Sequence, residues 1–151
     1  MDISFSEIVS HLYHLAIAYL LAFPVGWDRE SRSRSAGLRT FPLVAVAACG
    51  YMLVGLYVLE GDSAQARILM GVATGIGFIG GGAILKSRGG VRGTATAASI
   101  WNTGAIGVAV AWGRYEIAIA LALFNYLTLR FTHSLKDHMN IRSDDPKDQV
   151  P

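Results

Sequence analysis

Apolar residues fall in five long runs, Ile8 to Trp27, Phe41 to Leu59, Ile68 to Leu85, Thr94 to Trp112 and Ile117 to Leu135, separated by short polar stretches. Each run is near the roughly 17–25 residues that a bilayer-spanning helix needs. The pattern predicts an all-α, polytopic membrane protein with five transmembrane helices. The second, third and fifth runs are the clearest. The first carries Ser10, His11 and His14 at one end and Pro24 near the other, and the fourth is dotted with Thr96, Ser99, Asn102 and Thr103. Residues 1–135 read as one membrane domain, and residues 136–151, rich in Asp, Lys and Pro, as a short disordered tail.

Composition strengthens this reading. Of 151 residues, 52% are hydrophobic and only 16% charged, where soluble domains carry about 25% charged residues. The 17 glycines are spread through the apolar runs, as happens where membrane helices approach closely. Charge then sets orientation, because Lys and Arg near span ends favour the cytoplasmic side. Arg29, Arg32, Arg34 and Arg39 follow the first run, Lys86, Arg88 and Arg92 follow the third, and Arg130, Lys136, Arg142 and Lys147 lie at the end of the fifth and beyond it. Only Arg67 and Arg114 fall on the other side. The split predicts an N-terminus outside and a C-terminus in the cytoplasm, with Ser35 inside and Asp62 outside. The acidic start MDISFSE and the lack of a small-x-small site argue against a cleaved signal peptide, so the first run is expected to stay as an anchor. Cys49 is the sole cysteine, which excludes an intrachain disulfide and a cysteine metal cluster.

Gly75, Gly77 and Gly80 spell G-x-G-x-x-G, the dinucleotide-binding pattern, but that pattern needs a strand, a tight turn and then a helix. Here it lies inside an apolar run with no turn chemistry before it. Leu85 precedes Lys86 where a Walker loop would place glycine. The spacings Gly71–Gly75 and Gly77–Gly81 instead give two G-x-x-x-G pairs, the small-residue signature of close helix packing in membranes. Gly71, Gly75, Gly77, Gly80 and Gly81 are therefore expected to line a helix contact. Gly80, Gly81 and Gly82 in succession invite local unwinding, tolerable only under cover of protein or a hydrated cavity.

The segments GWDRESRSRSAGLRT, from Gly26, and ARILMGVATGIGFIGGGAILKSRGGVRGTATAASIWNTGAIG, from Ala66, resemble the membrane domain of the MgtC/SapB family, a bacterial group. The resemblance covers most of Gly26 to Trp112. It implies a multi-pass inner (plasma) membrane protein linked to magnesium limitation and stress, here in a short form without the C-terminal cytoplasmic domain of longer members. Asp28 stands where the family usually has Glu, keeping the charge with a shorter reach. Asn102 stands at a position that is commonly apolar.

Candidate chemistry gathers at the predicted inner face. The second and fourth runs begin there, with Thr40 and Thr94 as expected N-caps presenting free N–H groups and positive dipole ends. Arg39 and Arg92 precede those caps. Asp28, Arg29 and Glu30 follow the first run, where a helix dipole disfavours acids, so Arg39 is the expected partner of Asp28 or Glu30. The group reads as a salt-bridge collar touching lipid head groups, or as a gate or an ion or phosphate site with the acids as oxygen ligands suited to magnesium. On the fourth run Thr96, Ser99 and Thr103 share one helix face with Asn102 beside it, either joining helices or lining a hydrated path. His11 and His14, three apart, read as interfacial residues rather than a metal pair, and Trp27, Trp112 and Tyr115 as aromatic-belt residues. The first and third loops, ending Leu-Arg-Thr and Val-Arg-Gly-Thr, suggest a parallel repeat that would make Arg39 and Arg92 equivalent.

No serine, cysteine or aspartate lies deep in a span with a base at helical spacing, so the chain is expected not to be an enzyme. No resident cofactor and no nucleic acid are expected. The expected partners are the lipid bilayer, another membrane protein complex bound through the glycine faces, or a second copy in a homo-oligomer. Two functions stay open: moving or sensing an ion in magnesium homeostasis, and regulating another membrane complex.

Overall fold

The computed structural model describes residues 4–32, 36–87 and 90–143. Five helices follow one another, α1 Phe5–Arg32, α2 Thr40–Val58, α3 Asp62–Gly82, α4 Thr94–Ala111 and α5 Tyr115–Ser143. Between α3 and α4 lies a hairpin absent from the sequence reading, β1 Leu85–Ser87 paired antiparallel with β2 Gly90–Arg92. The helical class is as expected. Among the described residues, α1 from Phe5 to Ser31 and α2 are long and apolar enough to cross a membrane. Helix α3 is diluted by Asp62, Gln65, Arg67 and its glycines, and α4 by its hydroxyls and Asn102.

Several boundaries move. Helix α1 continues through Arg32, so Asp28, Arg29 and Glu30 lie on the helix rather than in a loop after Trp27. Helix α3 stops at Gly82, short of Leu85, and Gly80 to Gly82 remain helical. The expected unwinding is not seen there; the helix ends just after them in a tighter turn, where Ala83 N–H bonds the Gly80 carbonyl at 3.0 Å and Ile84 N–H the Gly81 carbonyl at 3.1 Å. Each glycine costs a helix about 1 kcal/mol relative to alanine, so a run of three is a natural place to end one. Thr40 and Thr94 open α2 and α4 but do not cap them; Arg39 and Gly93 hold the cap positions, without a side-chain cap bond. Backbone takes over that role at α2, where the Gly37 carbonyl accepts from Thr40 and Phe41 N–H at 3.0 and 3.1 Å. Gly93 has φ of 88°, and a Cβ there would run into the Ala83 carbonyl oxygen. Helix α5 runs past Leu135 to Ser143. Arg34, Ser35, Arg88 and residues 144–151 lie outside the described residues.

Helix α4 is the hub, packing against all four other helices. Its glycines explain how. A Cβ on Gly107 would strike the Ala45 carbonyl oxygen of α2, and one on Gly104 would strike Ile76 of α3. Gly80 of α3 lies against α4, its Cβ position 3.1 Å from the Ala97 carbonyl oxygen. Phe41, Met52, Ile100, Ile106 and Val110 fill the surrounding core. The G-x-x-x-G pairs behave differently, since Gly71, Gly75, Gly77 and Gly81 would each place a Cβ in open space. Among the described residues, Gly80 alone of the five expected packing glycines makes a close approach. The open face of α3 also carries Met70 and Phe78, the latter 86% exposed.

Cross-contacts give each helix its direction. Arg29 reaches Thr96, and Gly26 lies 3.3 Å from the Gly37 carbonyl oxygen by its Cβ position, so the end of α1 meets the starts of α2 and α4. At the other end His14 meets Tyr115, His11 meets Tyr57, and Gly55 meets Ile68. Consecutive helices therefore alternate in direction.

Candidate functional site

Asp28 lies one turn after Pro24 on α1, and its side chain is only 4% exposed. Burial of a carboxylate is expensive unless charge and hydrogen bonds surround it. Its neighbour Arg29 crosses to α4, where Nη2 donates to Thr96 Oγ1 at 2.6 Å. Thr96 is itself buried, so the contact fixes the guanidinium between two helices.

Glu30 turns to α2. Its Oε2 accepts from Leu38 N–H at 3.0 Å, setting a negative charge at the start of α2, where the helix dipole favours one. A Cβ on Gly37 would fall on that carboxylate, which is why glycine stands there. The expected pairing with Arg39 is not formed: Arg39 is exposed, and among the described residues no ion pair joins it to Asp28 or Glu30. The α2 terminus has taken the acid that the arginine was expected to hold. Arg92 is likewise exposed at the end of β2, and Thr94 is exposed beside it. The two arginines sit differently, Arg39 at a helix cap and Arg92 in a strand.

A second polar group continues down the same face of α4. Ser99 Oγ donates to Asn125 Oδ1 of α5 at 2.7 Å, and Asn125 Nδ2 donates back to the Ser99 carbonyl at 3.2 Å and to Thr103 Oγ1 at 3.4 Å. Thr103 Oγ1 donates to the Ser99 carbonyl at 2.8 Å. Ser99, Thr103 and Asn125 are all buried. Asn102, a turn aside, donates from Nδ2 to the Leu121 carbonyl at 3.1 Å. Every side chain of this seam thus has a protein partner, which suits a helix joint. Asn125 was missed in the sequence; its signal was a lone amide in an otherwise apolar run.

At the opposite end His14 Nδ1 donates to the Ser10 carbonyl at 2.7 Å, which leaves Nε2 to accept from the Tyr115 hydroxyl at 3.1 Å. His11 meets Tyr57 edge-on at 4.5 Å between ring centres. The two histidines tie α1 to α5 and α2. Among the described residues no group of three or more His, Cys, Asp or Glu is placed to hold a metal. Trp27 and Trp112 are exposed, whereas Tyr115 is half-buried against His14. Cys49 is free and buried in the core.

Apolar helices alternating around a glycine-notched hub, with a buried acid at one end, make a helical protein of which two helices are long and apolar enough to cross a membrane. The chain belongs to the MgtC family, whose profile matches residues 15–138. It is 36% identical over 131 residues to Protein SrpB of Synechococcus elongatus, covering 78% of this chain and 71% of that one. It is equally 36% identical over 131 residues to the Escherichia coli (strain K12) protein named "Putative magnesium transporter YhiD", covering 82% of this chain and 61% of that one. Protein MgtC of Brucella abortus is 41% identical over 110 residues, 73% of this chain and 46% of that one. The chain thus spans about half to two-thirds of the length of YhiD and MgtC. No solved structure matches it. Family and apolar helices together support a magnesium-related membrane protein.

Proposed function

We propose that the chain is a five-span inner-membrane protein, N-terminus outside and C-terminus in the cytoplasm, that acts without enzymatic chemistry in magnesium homeostasis by moving or sensing the cation. The observation that carries this is the inner-end cluster: Asp28 buried beside Arg29, which bonds Thr96 of α4 at 2.6 Å, with Glu30 at the start of α2. It joins three helices through charged groups, so a change in its charge balance acts on all three. Magnesium keeps several of its waters and needs only one or two carboxylates from a protein. Asp28 and Glu30 are the residues that would meet it, as substrate or as sensed ion, with Arg29 and Thr96 setting the geometry. The alternating helices and the cations at the end of α1 support the orientation.

The test is magnesium entry into sealed vesicles holding the purified chain, with and without an imposed potential. Flux lost in Asp28→Asn supports transport through this cluster. No flux, together with co-purification of a defined membrane complex, supports the alternative of a small regulator. That reading is favoured by one observation, the unoccupied glycine face of α3. Impermeant labelling of Asp62→Cys but not Arg39→Cys in intact cells, in a Cys49→Ala background, tests the orientation.

A further inference from the structure

Sequence made the loop after α3 a basic connection; the structure pairs its two arms as strands that mix apolar and cationic side chains. Pairing sets Leu85 opposite Arg92 and Lys86 opposite Val91, so each face of the ribbon carries one apolar and one cationic side chain. Directly opposed residues share a face of an antiparallel pair. None of the four is covered by the rest of the chain: Leu85 is 62% exposed and Val91 57%, and Lys86 and Arg92 are also exposed. A two-stranded hairpin is marginal in water by itself, and two exposed apolar side chains, Leu85 and Val91, make it worse unless something covers them.

Charge at this end of the bundle says what the cover is. Arg39, Lys86, Arg92 and Arg130 are exposed there, and the acid Glu30, also exposed, is bonded to Leu38 N–H. The opposite end exposes Glu7, Glu60, Asp62 and Glu116 against Arg67 and Arg114. Cations alternating with apolar side chains at the margin of a membrane protein match a phospholipid surface, which offers phosphates above and acyl chains below. We propose that the paired strands β1 and β2 dock edge-on against anionic phospholipid, with Lys86 and Arg92, one on each face of the ribbon, reaching head-group phosphates, and Val91 and Leu85 beside them along the interfacial layer. The proposal rests on the membrane reading above and adds to it a lipid-selective contact. Because β2 leads through Gly93 straight into α4, lipid held there bears on the hub helix.

The test is native mass spectrometry of the full chain in detergent, titrated with phosphatidylglycerol or phosphatidylcholine. The wild type is expected to prefer phosphatidylglycerol. Lys86→Gln with Arg92→Gln should weaken that lipid about 30-fold, from roughly fivefold for each surface cation, while Lys86→Arg with Arg92→Lys should retain it. If the glutamine variant fails to fold, the wild type still decides: its preference must largely vanish at high salt. Equal affinity of wild type and glutamine variant, equal binding of the two lipids, or displacement of phosphatidylglycerol by inorganic phosphate overturns the proposal. Alkaline extraction of cell membranes separates the two readings. A chain released by it sinks the membrane assignment, whereas an integrated chain with an unaltered glutamine variant sinks the hairpin contact alone.

Discussion

Gly107→Ala and Gly75→Ala are the same substitution on two helices, and the packing predicts opposite signs. In the interior of an exposed helix, alanine is favoured over glycine by roughly 0.5–1 kcal/mol. At Gly75 nothing lies within 4 Å of the new Cβ, so that gain should appear nearly whole. At Gly107 the methyl would strike the Ala45 carbonyl oxygen and lie 3.0 Å from the Ala45 carbonyl carbon and from Ala48 Cβ. Overpacking costs about 1–3 kcal/mol, and the upper end applies because the obstacle is the α2 backbone, which cannot rotate away. Net of the alanine gain, Gly107→Ala should lose about 2 kcal/mol, leaving about 3 kcal/mol between the two variants. Gly104→Ala should fall between, since Ile76 is a side chain with other rotamers.

The assay is unfolding followed by circular dichroism in one detergent, with size-exclusion chromatography beside it. A Gly107→Ala protein as stable as wild type would refute the claim that α2 and α4 are in backbone contact. A Gly75→Ala protein that loses as much as Gly107→Ala would show a contact on α3 that the single chain does not make. Chromatography then tells whether the loss follows dissociation of an assembly.

Other outcomes follow from the polar contacts. Asn125→Leu should lose about 1–3 kcal/mol by leaving the Ser99 hydroxyl and Thr103 buried with fewer partners; the double variant with Ser99→Ala should recover part of it in the same unfolding assay. Arg29→Ala and Thr96→Val should be non-additive by about 0.5–3 kcal/mol in a double-mutant cycle, and strict additivity would rule the latch out. Glu30→Gln keeps an acceptor for Leu38 N–H and should cost less than Glu30→Ala, whereas Arg39→Ala should change stability by less than about 0.5 kcal/mol. A large loss on Arg39→Ala would restore the collar expected from sequence.

Helix number, the polar face of α4 and the gathering of charge near the end of α1 were legible because each is periodic or local. Thr96, Ser99 and Thr103 share a face by the geometry of one helix alone. Partner choice was not legible, because it depends on which backbone atom a neighbouring helix brings within reach. Arg39 and Glu30 are opposite charges nine residues apart, and a sequence offers no hint that Leu38 N–H reaches the carboxylate first. The glycines make the same point more sharply. G-x-x-x-G reports only that a helix can be approached closely, so Gly71 to Gly81 drew attention, while Gly104 and Gly107, three apart, meet α3 and α2. What distinguishes them is the neighbour. Hub helix α4 packs against all four other helices and must yield volume where they cross it, so its glycines are filled by α2 and α3. Helix α3 lies at the margin of the bundle, and among the described residues nothing approaches its small-residue face.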